Sequence, residues 1–211
     1  MTAPIDLDVD DFPKEFDFYN GQYPPLDALT YWHFLKRSNA VIEVGCGFST
    51  FLPFKMGKSL TAIDPAPRTL YSGISYVKKR VQEMPPEFFL TLAENDILFI
   101  DSSHIYREGS DVQYLIESVL PKLNSGTLIH FHDYFDEDGY PEDWKKDPHM
   151  SKWNENEHLL RIKDDYEVLL INHLIGKGHN ESLKSRYPFV PGNITENLGA
   201  VKGASLWMKK I

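Results

Sequence analysis

AVIEVGCGFST, residues 40–50, is the stretch whose reading decides the fold. Its first half is an apolar run rich in Val and Ile, interrupted only by Glu43, which is the pattern of a strand buried on both faces. Gly45 and Gly47 break the run. Beyond them FSTFLPFKM (48–56) starts a short helix, with Ser49 placed to cap it and Pro53 tolerable because it lies near the first turn. A buried strand, a two-glycine turn and a helix form the opening unit of a parallel α/β sheet. A lone G-x-G is weak evidence, since its plain reading is a tight turn. The strand before it and the helix after it give it weight.

The neighbouring segments extend the same alternation. Upstream, PLDALTYWHFLKR (25–37) reads as a helix ending in basic residues, and the acidic residues 1–25, punctuated by Pro and Gly, read as irregular. Downstream, SLTAID (59–64), ISYVKKRV (74–81), DILFID (96–101) and GTLIHFHD (126–133) read as strands two to five. Between the last two, Val112, Leu115, Ile116 and Val119 share one face of a helix that Ser110 caps and Pro121 ends. NENEHLLRI (154–162) reads as another helix, and YEVLLIN (166–172) and ASLWMKK (204–210) as strands six and seven. Residues 134–158 and 173–203 are expected to supply loops on the substrate side.

The fold expected is a single Rossmann-like domain over residues 1–211. It is a doubly wound α/β sheet of about seven strands, mostly parallel with an antiparallel last strand. Ligands of such sheets bind beyond the carboxyl ends of the strands. That rule gathers Glu43–Gly47, Asp64, Asp101 and His132–Asp133 at one rim.

Bulk properties restrict the partners. The formal charge is −9, and no cluster of Lys and Arg offers a phosphate-binding face, so neither nucleic acid nor an anionic membrane is an expected partner. MTAPIDLDVDDF lacks the basic-then-apolar pattern of a signal peptide, and no apolar run is long enough to cross a bilayer. The single Cys46 excludes an internal disulfide. A cytoplasmic location is the expectation, and nothing in the pattern speaks to the oligomeric state.

Two residues choose among ligands of the glycine loop. A dinucleotide site calls for Gly or Ala at position 50, for close helix packing, and this chain has Thr50. Glu43 stands two residues before the first glycine, where a phosphate-binding loop gains nothing from a negative charge. A carboxylate there suits a cationic ligand, such as the ammonium and sulfonium of S-adenosylmethionine. Asp64, about 20 residues on, can accept hydrogen bonds from a ribose diol, which fits that cofactor and NAD alike. Cys46 and Ser49 lie within the same loop, and Gln82, with Glu83, is placed near an adenine.

E-x-G-x-G followed by an acidic end to strand two resembles the class I S-adenosylmethionine-dependent methyltransferases. The likeness continues through NDILFIDSSHIYREGSDVQYLIESVLPKLNSGTLIHFHDYF. It is similar to the bacterial branch that includes metal-dependent sugar O-methyltransferases. YNGQYPPLDALT and KWNENEHLL are similar to members of the same branch. The resemblance covers roughly residues 18–172. It implies a divalent metal held by Asp101, at the end of strand four, and by His132 and Asp133, at the end of strand five. It also implies a base at His104, three residues after Asp101.

The chemistry of that arrangement is coherent. A divalent metal lowers the pKa of a bound hydroxyl, and a neutral imidazole then removes its proton. His132 departs from the oxygen ligands usual at its position, which favours a first-row ion over Mg²⁺ or leaves His132 as the acid–base group without a metal. His130 reads as a core histidine bonded to a carbonyl, His33 as packing or surface, and His158 as undecided. Trp144 and Trp153 read as packing anchors, although an aromatic wall also suits a sugar ring.

The favoured expectation is an enzyme that methylates a hydroxyl of a sugar or small polyol-like metabolite. A metal-dependent hydrolase using HFHD, a catalytically inactive methyltransferase-like binding subunit and an NAD-dependent oxidoreductase stand as rivals.

Overall fold

Ala40–Val44 forms β1 at the middle of a seven-stranded sheet. In the computed structural model, which describes residues 6–68, 70–190 and 203–211, β1 pairs in parallel with β2 (Ser59–Ile63) on one side and β4 (Ile97–Ile100) on the other. β2 continues in parallel to β3 (Ser75–Val77), and β4 to β5 (Leu128–His132). β6 (Glu167–Ile171) is the far edge, and β7 (Ser205–Lys209) runs antiparallel between β5 and β6. The order is β3-β2-β1-β4-β5-β7-β6. The expected Rossmann-like α/β sheet with an antiparallel finish is therefore present. β3 is shorter than the eight residues expected, because the Lys78–Lys79–Arg80 stretch after Val77 supplies no apolar face.

Strand alternation sorts the core into two layers. The register sets Glu43 beside Phe99, Phe99 beside His130 and His130 beside Trp207, one row across four strands. Helix α1 (Pro25–Leu35) lies on this face, with Tyr31 stacked on Phe99 at 4.7 Å between ring centroids. Ile42, Val44, Leu98, Ile100, Ile129, Phe131, Leu206 and Met208 form the other face. There they meet Val112, Leu115, Ile116 and Val119, the apolar stripe expected of the helix after strand four. Each such side chain contributes about 1.5–3 kcal/mol when fully buried.

The short helix after the glycine loop is α2 (Phe51–Lys55). The helix capped by Ser110 begins as α3 (Asp111–Tyr114), widens into a π turn over Leu115–Val119 and tightens over Leu120–Lys122, where Pro121 has no N–H to extend an α ladder. The segment 134–158 is not all loop: α4 (Glu142–Lys146) and the start of α5 (Glu155–Ile162) lie in it.

Residues 173–203 also depart from the loop expectation. α6 (Asn172–Arg186) follows β6 directly, its periodicity masked by Gly176 and Gly178 and its axis broken at His179. Residues 191–202 of that segment lie outside the described residues. Irregular residues 6–24 still bury Leu7, Val9, Phe12 and Phe16 against α1, which explains why nearly every α1 side chain is enclosed. No helix among the described residues is long and apolar enough to cross a membrane.

Candidate active site

The glycine loop is held by its neighbours. Gly45 has φ +84°, and a Cβ there would stand 2.0 Å from the Asp101 carbonyl oxygen, so only glycine fits. Asp64 accepts the Cys46 N–H at 3.0 Å through Oδ2 and the Ala66 N–H at 2.7 Å through Oδ1, tying the end of β2 to the loop. Each carboxylate oxygen keeps a second lone pair for a ligand. Thr50 Oγ1 accepts the Gly47 N–H at 3.0 Å, a contact that neither Gly nor Ala could make. Ser49 makes no helix cap: its hydroxyl donates to Glu43 Oε1 at 2.5 Å.

Glu43 is fully buried, and its other oxygen, Oε2, has no protein partner. Burial pushes its carboxyl up to about 8, against the pull of the Ser49 hydrogen bond and of the neighbouring Thr50 hydroxyl. An orphaned, buried acid facing the loop fits a cationic ligand, which would supply the missing partner. Gln82 is similar: Nε2 donates to the Gly109 carbonyl at 3.3 Å, while Oε1 is buried and unpartnered. Burial raises the Cys46 thiol far above its ordinary range, which keeps it in the weakly nucleophilic protonated form.

The second cluster forms where β4 and β5 end. Asp101, His104 and Asp133 each place a ligand-type atom within 4.8 Å of the others. His104 Nε2 lies 3.2 Å from Asp101 Oδ1 and 3.6 Å from Asp133 Oδ2. Its Nδ1 lies 2.8 Å from Glu155 Oε2. His104 (φ 58°) and Asp133 (φ 56°) both adopt the left-handed conformation, uncommon for residues with a Cβ and characteristic of functional sites.

The charges here are coupled. Burial alone would lower the His104 imidazole, but hydrogen bonds to Asp101 and Glu155 and the charges of Glu155 and Asp133 raise it well above its usual value. Burial would raise Asp101 as well, and the His104 hydrogen bond with the His132 charge brings it below the usual range. Burial dominates at Asp133 and raises it.

His132 stands beside this cluster rather than in it. Alternation turns it to the α1 face, where Nε2 is 3.2 Å from the Gln22 carbonyl oxygen and Nδ1 is 3.8 Å from Asp27 Oδ2. Its Nε2 also lies 3.5 Å from Asp133 Oδ1. Asp27 itself is buried and satisfied, accepting from Asn172 Nδ2, Ser205 Oγ and the Ala204 N–H. His130 is a core residue, as expected, but no carbonyl holds it. Both ring nitrogens lack partners, its ring stacks on Phe99 at 4.1 Å, and burial lowers it well below its usual value, so it stays neutral.

Sequence reasoning gave Glu155 no role, because its partner is 51 residues away. The only signal was its place in KWNENEHLL. His158 stacks on Tyr106 at 3.6 Å, and His33 Nδ1 accepts the Asp8 N–H. Trp144 and Trp153 pack with Phe135 and Tyr140, and the Trp153 ring lies 4.3 Å from the His104 ring, making an aromatic wall at the cluster.

Residues 42–134 match a family model described as a methyltransferase domain. An uncharacterized protein of Archaeoglobus fulgidus is 31% identical over 94 residues, covering 37% of this chain and 42% of that one. The chain thus spans under half the length of this relative. A protein of known crystal structure from Corynebacterium glutamicum aligns with 96% of this chain and 93% of its own, at 14% identity and a TM-score of 0.48.

Proposed function

We propose that this chain, which carries a class I S-adenosylmethionine-dependent methyltransferase domain, methylates a hydroxyl of a sugar or small polyol-like metabolite with the help of a divalent metal. One observation carries the reading. The glycine loop and the Asp101–His104–Asp133 cluster touch each other, since Gly45 leaves no room for a Cβ against the Asp101 carbonyl. A donor held by the loop and an acceptor held by the cluster therefore meet in one cleft.

The residues divide the work. S-adenosylmethionine, when bound, supplies an electrophilic methyl group on its sulfonium. Glu43, with its free Oε2 and its Ser49 partner, receives the methionine end, and the remaining lone pairs of Asp64 receive the ribose diol. The unpartnered Oε1 of Gln82 suits the adenine amino group. Asp101 and Asp133 would hold a divalent ion through their carboxylates, and it would supply Lewis acidity to an acceptor oxygen, while His104 Nε2 beside them stays uncoordinated. Nε2 is also the atom placed to take the acceptor proton once its surrounding carboxylates are neutralised. Trp153 walls this side, and an aromatic ring there suits the apolar face of a sugar.

A binuclear hydrolase would need donors for a second ion, and among the described residues this cluster is the one group of at least three such donors. Calorimetry with S-adenosylmethionine and NADH, followed by a screen of nucleotide sugars and small polyols for methylated product, tests the reading. Tight NADH binding with none for the methyl donor refutes it. Donor binding without any methylated product favours the inactive binding subunit.

A further inference from the structure

Glu155 sits where a carboxylate is costly. Its side chain is 1% exposed, it opens α5, and Oε1 has no protein partner. An acidic residue serves a helix N-terminus equally well in solvent, so the cap does not explain its burial. What Oε2 does is face His104 Nδ1 at 2.8 Å, across 51 residues of chain.

The surrounding contacts all fix this pairing. The Asn154 and Glu155 N–H groups donate to the His104 carbonyl oxygen at 3.0 and 3.2 Å. The Asn154 side chain clamps Tyr106, accepting its N–H at 2.7 Å and donating to its carbonyl at 3.1 Å. Trp153 closes one side of the imidazole. The left-handed backbone of His104 is thus held from the α5 side as well as by its own loop. With Nδ1 taken, the ring has one orientation left, and Nε2 points between Asp101 and Asp133.

Resting on the methyl-transfer reading above, we propose that Glu155 is a positioning residue. It binds the Nδ1–H of His104, fixes the ring and so presents Nε2 to the reacting oxygen. A carboxylate behind a working imidazole acts this way in hydrolytic triads and behind metal-bound histidines. Glu155 touches neither donor nor acceptor, and its whole effect runs through His104.

The test uses Glu155→Gln, Glu155→Asp and His104→Ala in the full chain. Thermal unfolding and calorimetry with S-adenosylmethionine serve as controls of folding. Proton NMR of protein labelled with ¹⁵N-histidine should show a far-downfield Nδ1–H resonance, absent in His104→Ala and lost or shifted upfield in Glu155→Gln. With an accepted hydroxyl substrate, Glu155→Gln should lower kcat by about 10²–10⁴-fold at nearly unchanged KM. Glu155→Asp should recover part of that loss, and adding Glu155→Gln to His104→Ala should cost nothing further.

The proposal is overturned if Glu155→Gln keeps both the resonance and kcat, if its loss appears in KM alone, or if its cost is undiminished without His104. If Glu155→Gln does not fold, an Asp variant that folds with unchanged resonance and kcat overturns it equally. If the wild type shows the resonance, Glu155→Gln loses it and no hydroxyl acceptor is methylated, the pairing stands and the methyl-transfer reading falls.

Discussion

Titrating Glu43 should change how tightly the methyl donor binds. Burial puts this carboxyl at about 8, and its Oε2 waits for a partner. If the complex requires the ionised form, the ligand must draw from the ionised fraction of the free protein. That fraction is about 1% at pH 6, half at pH 8 and about 90% at pH 9, so affinity should rise about ninety-fold across this range, or about 2.7 kcal/mol. The α-amino group of the ligand titrates near pH 7.7–8.0 if it is unperturbed, roughly the same interval. Glu43→Gln separates the two, since it keeps an acceptor for Ser49 and cannot ionise. The ratio of wild-type to variant affinity should climb from pH 6 to 8 and then level.

Calorimetry in buffers of different ionisation enthalpy should also count nearly one proton released by the wild type at pH 6–7 that the variant does not release. Stability of the ligand-free chain gives a second arm. Because the folded value of Glu43 exceeds its unfolded value of about 4.5, its protonated form stabilises the fold below pH 4.5, and that contribution fades as pH rises to about 8. Glu43→Gln should therefore gain on the wild type between these limits, by up to about 4–5 kcal/mol above pH 8. An affinity ratio flat from pH 6 to 9, with no difference in proton release, would refute the reasoning.

Asp64→Ala should weaken S-adenosylmethionine binding by about 1.5–3 kcal/mol for each lost charge-supported bond, and it also frees the Cys46 N–H, which calorimetry and amide exchange would register. Asp133→Asn keeps a residue that tolerates the left-handed backbone but removes a negative charge, so it should weaken divalent-metal uptake, read by elemental analysis across a Mn²⁺ titration, without lowering the melting temperature at neutral pH. Gly45→Ala should disrupt both the loop and β4, because its methyl group cannot coexist with the Asp101 carbonyl. A variant that folds and binds the donor normally would contradict that packing.

The sequence made the rim of the sheet legible because its signals are local. A buried strand, a glycine turn and an acidic strand end each lie within about ten residues, and strand periodicity put His130 and His132 on one face. The same periodicity carried a message that only the register made plain: His132 faces α1 with Asp27, while His104 bends back to the carboxylates through a left-handed turn that no pattern announces. Glu155 and the burial of residues 6–24 were hidden for the opposite reason, since each depends on partners far along the chain. α6 was missed because two glycines weaken helix propensity where packing against α1 supplies the stability.

The antiparallel β7 also sets the order in which the sheet can be completed. Tyr134, the residue after Asp133, donates its N–H to Ala204, and β5 has no partner on that side until β7 inserts. The ribosome makes β7 some thirty residues after β6. During that interval the nascent chain exposes the unpaired N–H and C=O groups along one edge of β5, a template for mispairing with other chains. The Asp133 end of β5 therefore settles only after β7 has joined, and arrested translation products that lack β7 are expected to need chaperones.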